Sequence, residues 1–541
     1  MCSGAACPRL GTPRCCADAE RRAVYWGVRF ARKTLWALAA VAVGVCGGGG
    51  VANAQTGGGA DAAGFASRLD GAFKRGDSGE IERILREAMG TDGGSELCWK
   101  GMQCSRPELR VVGASVLAMT GDAGALARVA KSLDVVNCAD ERRLLVRAIG
   151  RRGAVWKSMW KDSARSGVGK EDPARSVGVP RMSGKEIQGL LADFLNDRDK
   201  MVRVAAVQAL ADCGRGEMLD RMLSSLGLAP VQVRKWNLSD DTAIVTMATY
   251  GAVASVTGVR PESAAQVRDW MGAHKAVMTS AEDGMRPWEE TEKQKLPVMK
   301  DGRLQTPSLI VRFETKDLPA PLDVTSDERR KLVETFERGC AKARAAAEPV
   351  FGTTHLPPIQ LILADDSNIA SYGGTAKGYF GFSLGNAVVM RVGQPMVMES
   401  VMAHEFVHII HQANYNSQPR WLAEGLAESL SKSPASSGWP AKMRGETGEL
   451  RKRVSAGAVS QVIRWTSGGN SGEPFELYEQ GHMVVDYLRF GGFTCPEARL
   501  NVLMGRLARG ESADRALHDA YGMTTAELDK GVVKWLGMSA K

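Results

Sequence analysis

Chemistry-bearing residues concentrate in the segment His404-Glu405-Phe406-Val407-His408, and three of the chain's seven histidines fall within residues 404–411. Side chains four residues apart lie on the same face of an α-helix. His404 and His408 could therefore offer two imidazole nitrogens to one zinc ion, at bond lengths of about 2.0–2.1 Å. Glu405 is offset by one residue, so it reaches the water beside the metal and suits the role of general base. This spacing predicts a zinc-dependent hydrolytic site.

The residues around this segment favour a buried helix over Pro395–Gln412. No proline or glycine occurs between Val397 and Gln412. Apolar side chains stand at Met402, Val407, Ile409 and Ile410. His411 lies seven residues from His404, about 10 Å along a straight helix. We therefore expect His411 to pack or to line the pocket rather than to share the metal.

A catalytic zinc site needs a third protein ligand and one open coordination position. Glu424 follows His408 by sixteen residues, within the string Pro-Arg-Trp-Leu-Ala-Glu-Gly-Leu-Ala-Glu of residues 419–428. His-Glu-x-x-His followed by Trp-Leu-Ala-Glu-Gly-Leu-Ala-Glu resembles the gluzincin metallopeptidases, and the bacterial peptidase-MA-like group is the nearest match. The resemblance covers Ser308–Phe490. It implies a thermolysin-like α+β domain, one catalytic Zn²⁺, a peptide or protein substrate and Glu424 as the third ligand.

The same resemblance implies roles for three further side chains. Glu428, one helical turn beyond Glu424, is expected to hydrogen-bond a ligand histidine, here His404, and so to fix its tautomer; a solvated glutamate is the alternative. Water attack on an amide builds negative charge on the carbonyl oxygen, which a positioned donor must meet. Tyr478 is the candidate donor and His482, one turn later, its substitute, while helix packing is the alternative role for Tyr478.

Strands precede helices from residue 307 onward, which favours an α+β domain over residues 307–541 with a helical C-terminal part. Strands are predicted at Leu309–Phe313, Ile359–Ala364 and Asn386–Val392. Helices are predicted from a capping box at Thr325–Glu328 to Ala347, and over Pro395–Gln412, Trp421–Ser431 and Leu477–Arg489. The run Gly378–Phe382, together with Asn386–Met390, is a candidate for the strand above the site that pairs with an extended substrate.

Residues 55–274 carry an internal repeat that resembles HEAT-type helical repeats. The copies are Leu109–Gly121, Glu141–Gly153 and Val202–Gly214. Each has arginine at its second position, leucine or isoleucine at its ninth and glycine at its last, where a helix C-cap is expected. The multidomain fold predicted is thus an all-α repeat domain followed by the α+β domain. An ordinary helical domain with coincidental similarity is the alternative.

Three connecting segments complete this division. A loop is expected over Lys157–Gly184, between the second and third copies. Ala248–Trp270 is expected to be a degenerate closing repeat. Lys275–Thr306 is polar, with prolines and mixed charges, and is expected to be a linker.

The N-terminal residues 1–54 have the pattern of a secretory signal peptide. A basic cluster precedes the apolar run Thr34–Val45, and Ala52-Asn53-Ala54 provides small residues for cleavage before Gln55. The apolar run is too short to span a bilayer. We therefore expect an exported protein, periplasmic or extracellular, without a stable membrane span after signal cleavage. An uncleaved anchor is the alternative.

Composition is that of a soluble globular protein, with 44% hydrophobic and 24% charged residues. A length of 541 residues favours two or three domains. The formal net charge of +9 is modest for this length and comes partly from the leader. No compact basic surface with interleaved aromatic residues follows, so no nucleic-acid partner is expected.

Six cysteines remain after the predicted leader, and an even number in an exported protein permits disulfides. Six cysteines allow about 15 pairings, among which sequence cannot choose. Cys98 with Cys104 and Cys340 with Cys495 are guesses from proximity and shared domain.

Three functional hypotheses follow. The leading one is a zinc metallopeptidase whose repeats dock a protein substrate or a protein partner. A second is an exported HEAT-repeat binding scaffold with a non-catalytic zinc site. A third is a zinc hydrolase that acts on a non-peptide amide.

Overall fold

The computed structural model describes the chain between residues 107 and 537 with internal gaps, together with a few positions between 68 and 84. The described ranges are 107–120, 123–135, 137–166, 184–213, 241–257, 264–273, 304–305, 308–314, 327–364, 381–384, 387–391, 395–415, 419–432, 438–445, 474–493 and 495–537, with positions 219, 221 and 222. The predicted signal peptide and the guessed pair Cys98–Cys104 lie outside these residues.

The first part of the described chain is entirely helical. Its helices are α1 Pro107–Thr120, α2 Ala123–Ser132, α3 Ala139–Ser166, α4 Gly184–Ala192, α5 Lys200–Cys213, α6 Asp241–Thr257 and α7 Ala264–Ala273, with a 3₁₀ turn at Asp193–Asn196. Helix α5 packs along both α3 and α6. Its valines, alanines and leucine are almost all buried, which leaves little of α5 facing solvent. The sequence thus builds a helical layer with α5 at its centre.

Helix α3 corrects two expectations from the sequence. The helix continues through Gly153 to Ser166, so Gly153 is not a C-cap and residues 157–166 are not loop. A Cβ atom at Gly153 would lie well under 3.0 Å from Cys213 Sγ. The missing side chain therefore lets α3 and α5 approach closely, a need that selects glycine as strongly as a helix end does. The rest of the expected loop, 167–183, lies outside the described residues.

The second part contains one five-stranded mixed sheet. Its strands are β1 Leu304–Gln305, β2 Leu309–Glu314, β3 Ile359–Ala364, β4 Gly381–Leu384 and β5 Ala387–Arg391, in the order β1-β2-β3-β5-β4. Strands β2, β3 and β5 are parallel, while β1 and β4 pair antiparallel to their neighbours. The predicted strands are thus observed within one or two residues of their expected ends. Strand β1 begins inside the expected linker, because two paired residues in a polar stretch leave no periodic signal.

Helices fill the rest of this part. They are α8 Asp327–Phe351, α9 Pro395–Asn414, α10 Arg420–Lys432, α11 Trp439–Gly445, α12 Pro474–Phe490, α13 Pro496–Ala508, α14 Ala513–Tyr521 and α15 Thr525–Trp535. Four of these helices match the predicted ones closely. Helix α8 runs past the expected end at Ala347 because Val350 and Phe351 are themselves buried in the core. The fold is therefore a helical part followed by an α+β part with one small mixed sheet, which agrees with the coarse fold class expected from sequence.

The two parts share one hydrophobic core. Buried apolar side chains form a continuous cluster from the helical layer through α8 and α9 to the last helices. Polar contacts join them as well: the Gln208 side-chain amide donates to the carbonyl oxygen of His355 at 3.2 Å and accepts from its backbone N–H at 2.6 Å. All described residues belong to one compact unit, Ala60–Gly169 with Arg181–Lys541. The helical part is thus packed against the α+β part.

The guessed disulfide between Cys340 and Cys495 is wrong, because both thiols are free. Cys340 is fully buried on α8, and burial raises the pKa of its thiol. Shared domain membership says nothing about the distance between two Cα atoms, which must fall within about 4.4–6.8 Å for a bridge.

Among the described helices, none combines the length and apolar character required to cross a bilayer.

Candidate metal centre

Helix α9 carries the His-Glu-x-x-His segment through the middle of the α+β part. Its apolar residues Met402, Ala403, Phe406, Val407 and Ile409 are buried to 1% exposure or less. Helix α8 packs along one side of α9 and α10 along another. The polar side chains of His404 and His408 lie where α9 contacts α10, and there they meet Glu424. The apolar pattern of the sequence therefore fixes the direction in which the histidines point.

Three side chains converge at the contact between α9 and α10. His404 Nε2 lies 3.2 Å from His408 Nε2, and Glu424 Oε2 lies 3.4 Å from the first nitrogen and 3.3 Å from the second. These three atoms form a nearly equilateral triangle. Ligand atoms about 2.0–2.1 Å from a tetrahedral zinc ion stand about 3.3–3.4 Å from one another. The donor set and its spacing therefore fit a zinc ion with one further position open.

The electrostatics of the three residues also fit a cation. Burial opposes charge on His404, but the neighbouring carboxylates of Glu424 and Glu428 outweigh it and raise the His404 pKa to about 10. Burial likewise opposes charge on Glu424, yet the two histidines hold its pKa far below the usual range. Glu424 Oε2 nevertheless has no hydrogen bond of acceptable geometry. A bound metal would take the place of the proton that these groups share, since imidazole ligands must be deprotonated.

Glu428 supports the site from one turn further along α10. Its Oε1 lies 3.2 Å from His404 Nδ1, and its Oε2 pairs with Lys432. An Nδ1–H that donates to a carboxylate leaves Nε2 as the free lone pair, and Nε2 is the atom directed at the triangle. Glu428 therefore orients the His404 ring. Burial opposes charge on this carboxylate, but His404 and then Lys432 outweigh it and lower the Glu428 pKa.

Glycine at position 425 permits α10 to reach α12. A Cβ on Gly425 would lie well under 3.0 Å from the carbonyl oxygen of Gly481, and a Cβ on Gly481 would lie 2.5 Å from the carbonyl oxygen of Trp421. The two helices thus meet backbone to backbone beside Glu424. Gly425 is therefore required by helix packing, and any side chain at this position would displace α10, which carries Glu424.

We predict that Gly425→Ala destabilises the protein by at least about 2 kcal/mol, because a backbone contact leaves no flexible group to yield. Gly189→Ala is the matched control, since no atom lies within 4 Å of the added Cβ on helix α4; it should be neutral or slightly stabilising. Urea unfolding of both variants gives the comparison. Equal stability of the two would contradict the close approach of α10 and α12.

Glu405 lies on α9 close to His404, His408 and Glu424. Its side chain is 7% exposed. Burial raises the pKa of its carboxyl, although His408 and His404 act in the opposite direction. The backbone N–H of Ser383 donates to this carboxylate, which places strand β4 beside the site. Because β4 pairs with β5 and ends the described sheet, its outer edge lies next to Glu405.

Tyr478 and His482 lie on α12 and differ in their surroundings. The Tyr478 ring centroid is 6.1 Å from that of His404. The His482 ring contacts Trp439 edge-on at 5.3 Å, and its Nε2 lies 3.3 Å from the buried Oδ2 of Asp486. The structure thus places Tyr478 beside His404 and turns the His482 Nε2 toward Asp486.

His411 lies away from the triangle, in the core. Its ring packs against those of Phe351 and Tyr415 at 5.9 and 6.0 Å between centroids. Burial, and then the neighbouring His408 and Arg143, lower its pKa to about 3. His411 is therefore a neutral buried side chain. The one group of metal-binding type among the described residues is His404, His408 and Glu424.

Sequence reasoning missed Ser383, Lys432 and Asp486 as neighbours of these residues. Lys432 could have been found, since it follows Glu428 by four residues on a predicted helix. Ser383 and Asp486 gave no comparable signal, because their contacts depend on how separate elements pack.

The chain matches no protein-family model, and a search of the curated proteins returns no relative. What supports a function is therefore the arrangement itself: two imidazoles and a carboxylate at the spacing of zinc ligands, a buried glutamate beside them and a strand next to that glutamate. Such a set can bind a metal, hold a water molecule and accept or donate a proton.

Proposed function

We propose that this protein is a zinc metallopeptidase that hydrolyses peptide bonds in a peptide or protein substrate. The observation that carries the proposal is the triangle of His404 Nε2, His408 Nε2 and Glu424 Oε2, with edges of 3.2–3.4 Å. The gluzincin-like order of motifs along the chain supports the same reading. We extend the proposal to a thermolysin-like fold for the α+β part.

A zinc ion bound by His404, His408 and Glu424 would supply a Lewis acid that activates water and draws charge from the substrate carbonyl. Glu405 would take the proton of the attacking water and return it to the leaving amine. Its raised pKa suits this exchange, because a base that must later act as an acid works best when its pKa approaches the operating pH. Glu428 would hold the His404 ring in place throughout.

Strand β4 would bind the substrate backbone. An extended peptide adds to an exposed strand edge through main-chain hydrogen bonds, with alternate side chains directed into the protein. The Ser383 N–H already donates to Glu405, so the strand edge and the base are held at a fixed separation. A peptide paired with β4 would therefore pass within reach of Glu405.

Tyr478 would donate its hydroxyl to the carbonyl oxygen as negative charge develops there. We predict that Tyr478→Phe lowers kcat by about 10²–10³-fold with little change in zinc content, because the lost donor acts in the transition state. Steady-state kinetics on a fluorogenic peptide give the measurement. Tyr487→Phe, on the same helix but packed against Phe493 and Trp535, is the control and should retain activity. An unchanged rate in Tyr478→Phe would exclude Tyr478 as the donor and leave His482 as the candidate.

The helical part would dock a protein substrate or partner, in keeping with its resemblance to HEAT-type repeats. Some of its surface is already committed, because α3, α5 and α6 contact the α+β part. Export to the periplasm or the extracellular space, expected from residues 1–54, belongs to the same proposal.

Zinc content and zinc dependence test the proposal together. We expect about one zinc per chain, hydrolysis of a denatured protein substrate, loss of hydrolysis with a chelator and recovery on adding zinc back. Stoichiometric zinc without hydrolysis across a broad peptide library would instead favour the binding scaffold. Cleavage of non-peptide amides with intact peptides would favour the third hypothesis.

A further inference from the structure

Two buried arginines meet the C-terminal end of α9. Arg143 and Arg147 lie one turn apart on α3 and are 1% and 6% exposed. Arg147 Nη2 donates to the side-chain oxygen of Asn414, the last residue of α9. The Arg143 guanidinium carbon stacks 4.0 Å above the centre of the Tyr415 ring. The helical part thus places two positive charges in the core behind the metal centre.

Most donors of these two guanidinium groups lack an acceptor among the described residues. Nε, Nη1 and Nη2 of Arg143, and Nε and Nη1 of Arg147, are buried without a hydrogen-bond partner. Stacking on Tyr415 satisfies the face of the Arg143 guanidinium but not all the N–H groups in its plane. The Tyr415 hydroxyl donates to the carbonyl oxygen of Asn501 at 2.9 Å, and its oxygen is a partial acceptor for Arg143. Buried N–H groups on a charged side chain destabilise the fold when unmet, so an acceptor is expected beside them.

The nearby carboxylates are shared with other basic groups. Asp140, at the start of α3, pairs through Oδ2 with Arg506 and Arg509, and its Oδ1 has no hydrogen-bond partner. Asp212, on α5, lies 2.8 Å from His355 Nε2.

The adjacent Arg142 shows the contrast on the same helix. It is also buried, yet its terminal nitrogens reach Asp197 and the carbonyl oxygen of Ala130. Arg142 therefore lacks an acceptor only at Nε, whereas Arg147 lacks one at two nitrogens and Arg143 at all three.

The end of α9 compensates this charge only in part. The C-terminus of a helix carries roughly half a negative charge, against two guanidinium charges. Burial and the neighbouring Arg143 hold the pKa of Arg147 well below its usual range. His411 Nε2, Asn501 Oδ1 and Asp140 Oδ1 are also buried without a partner in this region. The unmet groups of Arg143 and Arg147 are all donors, and they outnumber these acceptors.

We propose that a single small monovalent anion of the halide class binds between Arg143 and Arg147. Tyr415 lies beside Arg143, and Gly352 lies beside Arg147, where a Cβ would stand 3.4 Å from Arg147 Nη1. Gly352 has φ +73°, a conformation that residues with a side chain rarely adopt. A single-atom ion needs less room in a packed interior than an oxyanion does. The site does not depend on the proposed peptidase activity.

Thermal unfolding in chloride tests this proposal. Chloride replaces methanesulfonate from about 1 to 200 mM at constant ionic strength, and we expect the wild-type Tm to rise saturably by about 2–5 °C. In Arg143→Met and Arg147→Met the rise should disappear, while the Tm without chloride stays similar or increases, since an uncompensated buried charge has been removed. Arg128→Gln, which removes an exposed arginine from α2, is the control and should keep the wild-type response.

Bromide diffraction of the wild-type protein provides a measurement that does not depend on the variants folding. An anomalous peak within about 3.5 Å of both guanidinium groups is the expected result. The proposal is overturned if the wild-type Tm is indifferent to chloride, if both methionine variants keep the wild-type chloride response, or if saturating bromide gives no peak between the two arginines.

Discussion

Replacing Glu405 with glutamine is expected to lower kcat/KM for peptide hydrolysis by at least about 10³-fold while zinc content stays near one per chain. General acid–base catalysis contributes about 10²–10⁴-fold, and an amide can neither take the water proton nor return it to the leaving amine. The substitution keeps the shape of the side chain, and the glutamine oxygen can still accept from the Ser383 N–H. Structure and metal binding should therefore survive the loss of activity.

Metal analysis, thermal unfolding and peptide kinetics on the same preparation separate these effects. Glu399→Gln is the matched control, because Glu399 lies on the same helix, is exposed and pairs with Arg338 away from the metal triangle. It should behave as wild type in all three measurements. Full activity in Glu405→Gln would remove Glu405 as the base, whatever its distance from the metal.

The same pair of proteins identifies substrates. Incubating proteins from the exported fraction with wild type and with Glu405→Gln, and then comparing new chain termini, reports cleavage that depends on the proposed base. Residues on either side of the cleaved bonds would show which side chains suit the pockets along β4.

A strand or helix could be predicted from sequence where a single residue preference determines it. Apart from Gln360, the run Ile359–Ala364 is β-branched or apolar, and it begins after proline; it is observed as β3 with those ends. Gly153 was not predictable. A helix end and a close helix crossing both select the absence of a Cβ, so a repeat pattern cannot tell which need the glycine meets. Here the crossing with α5 decides, and α3 continues beyond it.

The candidate site likewise contains some features that the sequence predicts and others that it does not. The 3.6-residue helix period alone places His404 and His408 on one face. Glu424 became a candidate through motif order, but its distance from the histidines depends on how α10 lies against α9. Contacts such as Arg147 with Asn414 join residues 267 positions apart, and no periodicity links such positions. They follow from tertiary packing, for which the sequence carries no local pattern.

Glu424→Ala is expected to weaken zinc binding by more than about 100-fold and to abolish hydrolysis with it. Replacing groups that merely orient a ligand costs about 10–100-fold in metal affinity, and removing a ligand should cost more. Loss of the carboxylate also leaves His404 and His408 without the negative charge that favours a cation between them. Zinc affinity is measured by competition with a chromophoric chelator, and the fold is checked by circular dichroism.

Glu428→Ala supplies the graded comparison, since Glu428 lies on the same helix and contacts His404 through Nδ1 rather than facing the triangle. Its zinc affinity should fall by about 10–100-fold, less than that of Glu424→Ala. The order of the two losses is the informative result. If Glu428→Ala loses the metal while Glu424→Ala retains it, the carboxylate one turn further along α10 is the true ligand, and the His404 ring must present its other nitrogen. Equal and slight losses would mean that neither carboxylate binds the metal, and the proposed hydrolytic chemistry would lose its third ligand.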